Sequence, residues 1–121
     1  MPRHHHVNLG VPPGGLEAQK RFLSEVLGYR KMEMSERLQR MGANWYEGSD
    51  GSQIHLSEDP EHAPPKRAHT AVVCEDGEFV AVMARLEAEG VKAESVANTG
   101  IRGFMVIHDP SGNRWEIRTV D

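Results

Sequence analysis

Hydrophobic and polar residues alternate along several short segments of the chain, which is the pattern of strands with one buried face. Two longer segments, residues 16–27 and 78–89, instead repeat their apolar positions at helical spacing. Gly28 and Gly90 follow these segments and suit left-handed C-terminal caps. The candidate strands are residues 6–11, 30–36, 39–46 and 52–57 in the first half, and residues 69–74, 92–96, 103–107 and 114–119 in the second.

The two halves of the chain repeat each other. The strand-like run that begins at His6 resembles the run that begins at His69, and each is followed by a helix and then by three strand candidates. A polar stretch rich in proline, residues 58–66, separates them and is typical of a connecting loop. With 121 residues, the chain has the usual length of one domain. We therefore predict an α+β fold in which a single domain, residues 1–121, contains two tandem βαβββ units at about 4–58 and 67–120.

Three polar side chains fall on strand faces that the apolar core does not require. Side chains alternate between the two faces of a strand, so an apolar set on one face leaves the opposite face for other uses. By this argument His6, His55 and Glu116 lie away from the core. Each also has an ordinary explanation, since a strand histidine is commonly hydrogen-bonded and Glu116 stands between two arginines.

The repeat adds a fourth candidate, His69, for which strand alternation is less decisive because the residues that follow it are nearly all apolar. It corresponds to His6, 63 positions earlier, just as Glu116 corresponds to His55, 61 positions earlier. Imidazoles together with one carboxylate suit Zn²⁺, Ni²⁺, Co²⁺, Mn²⁺ or Fe²⁺ better than Ca²⁺ or Mg²⁺. We predict that His6, His55, His69 and Glu116 hold one divalent metal ion, of an identity that the sequence leaves open.

Composition narrows the range of partners. The net charge of −4 with scattered Lys and Arg gives no basic stripe, so nucleic acid is not expected as a partner. The mean hydropathy of −0.56 and the lack of a long apolar run argue against an integral membrane protein. The single cysteine, Cys74, follows an apolar run and is expected to be buried and inert. Since no secretory-type leader begins the sequence, we expect a cytoplasmic protein.

Four segments of the chain, residues 6–11, 22–29, 68–72 and 109–117, resemble the vicinal oxygen chelate superfamily. That superfamily includes glyoxalase I, fosfomycin-resistance proteins, bleomycin-resistance proteins and extradiol dioxygenases. The resemblance runs almost from end to end. It implies a curved mixed sheet around a metal cavity, helices on the outer face, and a homodimer.

The resemblance also assigns metal ligands. It implies that His6, His69 and Glu116 are ligands, and it places His55 where glyoxalase I-like members have a fourth ligand, commonly Glu. A histidine at that position is a departure from the family pattern. His55 either completes a four-residue shell or lines the pocket above a three-residue site.

The resemblance implies a metal-dependent, glyoxalase-like lyase or isomerase that acts on a small oxygen-chelating substrate. Glu116 is then the candidate base, with His55 as a second proton acceptor. One alternative is a non-haem iron dioxygenase with His6, His69 and Glu116 as a facial triad. Another is a metal-free, drug-binding protein of the bleomycin-resistance type. The candidates for substrate contact are Asn8, Trp45, Gln53, Arg102 and Phe104, of which Trp45 and Phe104 suit a core position equally well and Arg102 suits either an anionic group or solvent.

Overall fold

The computed structural model describes residues 1–96 and 98–121. The chain divides into two compact units, Met1–Ala63 and Pro64–Asp121, and each carries its own mixed sheet. The predicted α+β class is confirmed, and the division falls inside the proline-rich segment predicted as a loop. Within the described residues, no helix is both long enough and apolar enough to cross a membrane.

The first unit has a four-stranded sheet in the order β1-β4-β3-β2. Strand β1 runs parallel to β4, and the other neighbouring strands are antiparallel. The elements, in chain order, are β1 (His6–Val11), α1 (Leu16–Arg21) continued by a π-helical turn (Phe22–Val26), β2 (Arg30–Lys31), α2 (Glu36–Arg40), β3 (Asn44–Glu47) and β4 (Gln53–Glu58).

The first helix ends as its glycine predicts. The Leu27 N–H donates to the Phe22 carbonyl, the wider spacing of a π-helical turn, and the Tyr29 N–H donates to the Leu23 carbonyl at 2.9 Å. Gly28 makes this closure with a φ of +83°, which a side chain would disfavour. Leu23 and Val26 are buried, so the π turn keeps the predicted apolar face directed into the core.

The predicted strands 30–36 and 39–46 are too long. Only Arg30–Lys31 and Asn44–Glu47 are strands, and Glu36–Arg40 between them is a short helix. The reason is a helix cap, because the Ser35 hydroxyl oxygen accepts a hydrogen bond from the Leu38 N–H at 3.2 Å. This local bond stabilises a helical turn that the apolar pattern does not reveal.

The second unit has a three-stranded sheet in the order β5-β7-β6, with β5 parallel to β7 and β6 antiparallel to β7. Its elements are β5 (His69–Val73), α3 (Asp76–Ala88), β6 (Phe104–His108) and β7 (Arg114–Arg118). The predicted strand 92–96 is wrong. This segment of low strand propensity makes one backbone bond to β6, from the Glu94 N–H to the Val106 carbonyl at 2.7 Å.

The strand registers of the two units match, as the sequence repeat predicts. In both units the first strand runs parallel to the last strand, and the metal-ligand candidates occupy equivalent rungs of the two ladders. The corresponding pairs are His6 with Gln53 and Asn8 with His55 in the first unit, and His69 with Arg114 and Ala71 with Glu116 in the second.

A buried carboxylate organises the turn before β7. Asp109 is 5% exposed, and its Oδ1 accepts hydrogen bonds from the backbone N–H groups of Ser111 and Asn113, each at 2.9 Å. Its Oδ2 accepts from the indole Nε1–H of the fully buried Trp115, also at 2.9 Å. Since Trp115 is the residue before Glu116, this network fixes the strand that carries a predicted ligand.

Candidate functional site

In the first unit, three aromatic rings stack around His55. The His55 ring lies between His6, at a centroid distance of 3.9 Å, and Trp45, at 4.3 Å. The interplanar angles are 12° and 5° respectively, so all three rings are nearly parallel. The sheet produces this stack, because Trp45 on β3 lies directly opposite His55 on β4. Only 8% of His55 is exposed.

One nitrogen of His55 is hydrogen-bonded and the ring is held neutral. Its Nε2 lies 2.8 Å from the side-chain oxygen of Gln53, so Nε2 carries the proton and donates it to the amide oxygen. In the neutral ring Nδ1 then holds the lone pair. Burial, followed by the nearby His6 and His5, lowers the pKa of His55 below its ordinary value.

Three of the predicted substrate-contact residues belong to this cluster. Trp45 and Gln53 touch His55, and Asn8 lies opposite it in the β1–β4 register. The Asn8 side-chain oxygen accepts a hydrogen bond from the Ser57 hydroxyl at 2.8 Å. The first unit therefore brings Asn8, Trp45 and Gln53 together around one neutral imidazole.

The stacking limits which of the two histidines can bind an ion. A nitrogen lone pair lies in the plane of its imidazole ring, so a bound metal lies near that plane. The His6 and His55 planes are inclined by only 12° and do not converge on a point within bonding distance of both rings. In this arrangement one ring at most ligates a given ion, and a fourth-ligand role for His55 stays a prediction.

In the second unit, His69 and Glu116 face each other. The His69 Nδ1–H donates to the Arg67 carbonyl at 2.9 Å, which leaves Nε2 with the lone pair in the neutral ring. This Nε2 lies 3.5 Å from Oε1 of Glu116. A lone pair and a carboxylate oxygen repel each other at this distance, and either a proton on the ring or a shared cation removes the repulsion.

The spacing of these two atoms suits a shared metal ion. Nitrogen and oxygen ligands each about 2.1 Å from a tetrahedral ion lie roughly 3.4 Å apart. The separation of 3.5 Å is close to that value. A backbone carbonyl on the far nitrogen is also the usual outer partner of a ligating histidine. The donor set of His69 and Glu116 thus fits a divalent metal.

One of the two arginines that flank Glu116 in the sequence, Arg118, lies beside its carboxylate. Arg118 Nη1 is 3.7 Å from the second carboxylate oxygen, Oε2. The arginine is held in place, since it also donates to the carbonyls of Thr119 and Val120 at 3.0 Å. Strand alternation predicts this placement, because Arg118 is two residues beyond Glu116 and so projects from the same face of β7.

The two remaining predicted substrate-contact residues, Arg102 and Phe104, also lie in the second unit. Arg102 forms exposed ion pairs with Asp76, at 2.9 Å, and with Asp121, at 3.6 Å, which accounts for its charge. Phe104 is half-buried on β6, opposite Arg118 in the register, and therefore shares a sheet face with Glu116. Substrate contact by Phe104 and by Arg102 stays a prediction.

Each unit supplies a pair of candidate ligands and not a complete shell. Across residues 1–96 and 98–121, no group of three or more His, Cys, Asp or Glu side chains is arranged to hold a metal ion.

Cys74 is buried as predicted, and burial raises the pKa of its thiol to about 11. At neutral pH it is a thiol and not a nucleophile.

Comparison with known proteins identifies the family. The family model of the glyoxalase/bleomycin resistance protein/dioxygenase superfamily matches residues 3–117. The chain belongs to this superfamily. The resemblance predicted from the four segments is confirmed, and with it a function of the glyoxalase or dioxygenase kind at the level of the superfamily. No functionally curated protein matches this superfamily member in sequence.

Several solved structures share its fold. A protein assigned to the glyoxalase family from Bacillus anthracis is 24% identical, with a TM-score of 0.80 over 97% of this chain and 93% of that chain. The fosfomycin resistance protein FosX from Listeria monocytogenes is 17% identical, with a TM-score of 0.78 over 100% and 93%. A FosX variant in complex with Mn(II) and 1S,2S-dihydroxypropylphosphonic acid is 15% identical, with a TM-score of 0.78 over 100% and 94%. At such identities the likeness shows the fold and not the activity.

Proposed function

We propose that this superfamily member is a metal-dependent enzyme of the glyoxalase type, a lyase or isomerase that acts on a small substrate with two adjacent oxygens. The observation that carries the proposal is the distance of 3.5 Å between His69 Nε2 and Glu116 Oε1. The other ring nitrogen of His69, Nδ1, donates a hydrogen bond to the Arg67 carbonyl. The binding of Mn(II) by a FosX variant of the same fold supports it.

We assign His6, His69 and Glu116 as the protein ligands of one divalent ion, with His6 supplied by the same chain or by a second copy in a homodimer. His55 is left out of the set because it stacks on His6 with nearly parallel rings. It acts in the pocket instead. Two imidazoles and one carboxylate suit Zn²⁺, Mn²⁺, Fe²⁺, Co²⁺ or Ni²⁺.

When bound, the metal would hold and polarise the adjacent oxygens of the substrate. His55 is the proton acceptor in this scheme, because its lowered pKa keeps it neutral at pH 7 and its Nε2–H is committed to Gln53. Its Nδ1 lone pair is then the atom that accepts a proton. The stacked Trp45 ring keeps the imidazole from rotating away, and Arg118 balances the charge of Glu116.

The test is metal analysis of the purified protein, followed by single substitutions. We expect one divalent ion per chain in the unmodified protein, and a loss of most of it in His69→Ala and in Glu116→Gln. His4→Ala is the matched control, since His4 is an exposed histidine close in sequence to a ligand. Metal at well below one ion per chain after reconstitution, or retention of the ion in both variants, contradicts the proposal.

The second candidate function is an iron-dependent dioxygenase. A set of two histidines and one carboxylate leaves coordination positions for substrate and O₂, and the stacking of His55 on His6 favours such a three-residue set. Protein loaded with Fe²⁺ under argon and then mixed with catechols and O₂ distinguishes the two. Oxygen consumption that depends on the catechol supports the dioxygenase, whereas isomerisation or addition without oxygen uptake supports the glyoxalase type.

A further inference from the structure

The residue before the first proposed ligand makes a direct contact with it. Nδ1 of His5 lies 2.9 Å from Nδ1 of His6, and the two rings meet edge to face with centroids 5.1 Å apart. At this distance one proton is shared by the two nitrogens, so one ring donates and the other accepts. The backbone of His5 is also anchored, because its carbonyl accepts a hydrogen bond from the Gln53 N–H at 3.1 Å.

In the second unit, Nδ1 of the corresponding histidine has a different kind of hydrogen-bond partner. There Nδ1 of His69 donates to the carbonyl of Arg67, and a carbonyl can only accept, so His69 is forced to keep its Nε2 lone pair. His6 occupies the equivalent place on β1, but its partner is an imidazole, which is able to donate or to accept. The tautomer of His6 therefore depends on whether Nδ1 of His5 donates or accepts the hydrogen bond between the two rings.

We propose that His5 is a positioning residue that accepts a hydrogen bond from the Nδ1–H of His6 and so holds Nε2 of His6 deprotonated for the metal. This rests on the proposed function as far as the metal is concerned, but the hydrogen bond belongs to the metal-free protein as well. His5 itself carries its proton on Nε2, away from His6.

The expected cost of losing this partner follows from other metal sites. Outer partners of ligating histidines fix the tautomer and the ring orientation, and their removal commonly weakens metal binding by about 10- to 100-fold. We expect a loss in that range for His5→Phe, which keeps a flat ring but has no nitrogen. His5→Asn is the conservative variant, because its side-chain oxygen occupies the place of Nδ1 and accepts a hydrogen bond.

Two measurements test the proposal. The first is the tautomer of His6 in the metal-free protein at pH 8, read from long-range ¹H–¹⁵N correlation spectra of the imidazole nitrogens. The second is the affinity for Zn²⁺, measured by competition with a chromophoric chelator. The variants are His5→Phe, His5→Asn and, as a control for altering the histidine run, His4→Phe.

We expect His6 to be protonated at Nδ1 in the unmodified protein, in His5→Asn and in His4→Phe, and to become a mixture of tautomers in His5→Phe. Zn²⁺ affinity should fall only in His5→Phe. A His6 protonated at Nε2 in the unmodified protein, or a His5→Phe variant with unchanged tautomer and affinity, overturns the proposal. If no variant binds Zn²⁺, the proposed function fails, and the tautomer alone decides the role of His5.

Discussion

The carboxylate of Asp109 offers a quantitative test of how the second unit holds its candidate ligands. Asp109 is 5% exposed and accepts three hydrogen bonds, two from backbone N–H groups and one from the indole of Trp115. Replacing it with alanine removes all three acceptor contacts and leaves the indole N–H without this partner in the core. We therefore expect Asp109→Ala to be among the more destabilising single substitutions in this unit.

The magnitude follows from the separate contributions. A hydrogen bond to a charged acceptor contributes about 1.5–3 kcal/mol, and a buried donor left without a partner costs about 1–3 kcal/mol. The three bonds do not add in full, because the variant no longer buries a charge and water can reach the two backbone groups of the turn. A net loss of about 3–4 kcal/mol in the free energy of unfolding is expected. For a chain of this length that lowers Tm by roughly 10–15 °C.

Urea unfolding and calorimetry of Asp109→Ala and Asp109→Asn measure the effect. The asparagine oxygen is able to keep both backbone bonds, but its NH₂ group then faces the Trp115 indole N–H, donor against donor. We expect Asp109→Asn to lose about half as much stability as Asp109→Ala. If Asp109→Ala unfolds within about 1 kcal/mol of the unmodified protein, the carboxylate does not hold the turn and the reasoning is refuted.

Three further predictions rest on single contacts. Gly103→Ala should lower the free energy of unfolding by about 1–3 kcal/mol in urea titrations, since the new Cβ would lie 2.8 Å from Thr119 Cγ2. The control Gly77→Ala, on α3 with no atom within 4 Å of the added Cβ, should be neutral or stabilising. The pKa of His55 is lowered in the folded state, so as pH falls the unfolded state takes up the proton first. The free energy of unfolding should therefore decrease as pH drops below about 6.5. His55→Gln should weaken this pH dependence, and an unchanged dependence in that variant would contradict the prediction. Cys74, with a thiol pKa of about 11, should resist iodoacetamide at pH 7.5 until the protein is unfolded, as mass spectrometry would record.

The sequence was most informative where one simple rule governs the structure. Strand alternation and the repeat located His55 and Glu116 on equivalent rungs, and the parallel pairing of first and last strands confirms that equivalence. Alternation is a property of every strand, so it survives differences in loop length. The same rule failed at α2, because the Ser35 cap is a local hydrogen bond that overrides the apolar pattern.

Contacts that depend on side-chain rotamers could not be predicted from the sequence. The stacking of His55 between His6 and Trp45 requires three rings to adopt compatible χ angles, and strand phase gives only the face from which each ring projects. The bond between His5 and His6 is hidden for a related reason, since neighbouring residues of a strand point to opposite faces. His5 precedes β1, and this allows its ring to turn toward His6.

The two units of the repeat place chemically different side chains at equivalent positions of their sheets. At equivalent rungs, the second unit has a carboxylate between an imidazole and an arginine, whereas the first has a buried imidazole between two rings. A carboxylate at position 55 would lose solvation between the His6 and Trp45 rings, so it would have to take up a proton, turn away from the stack or bind a cation. The neutral imidazole has none of these requirements. Position 55 is therefore better suited to a neutral imidazole than to a carboxylate, in contrast to the equivalent position 116.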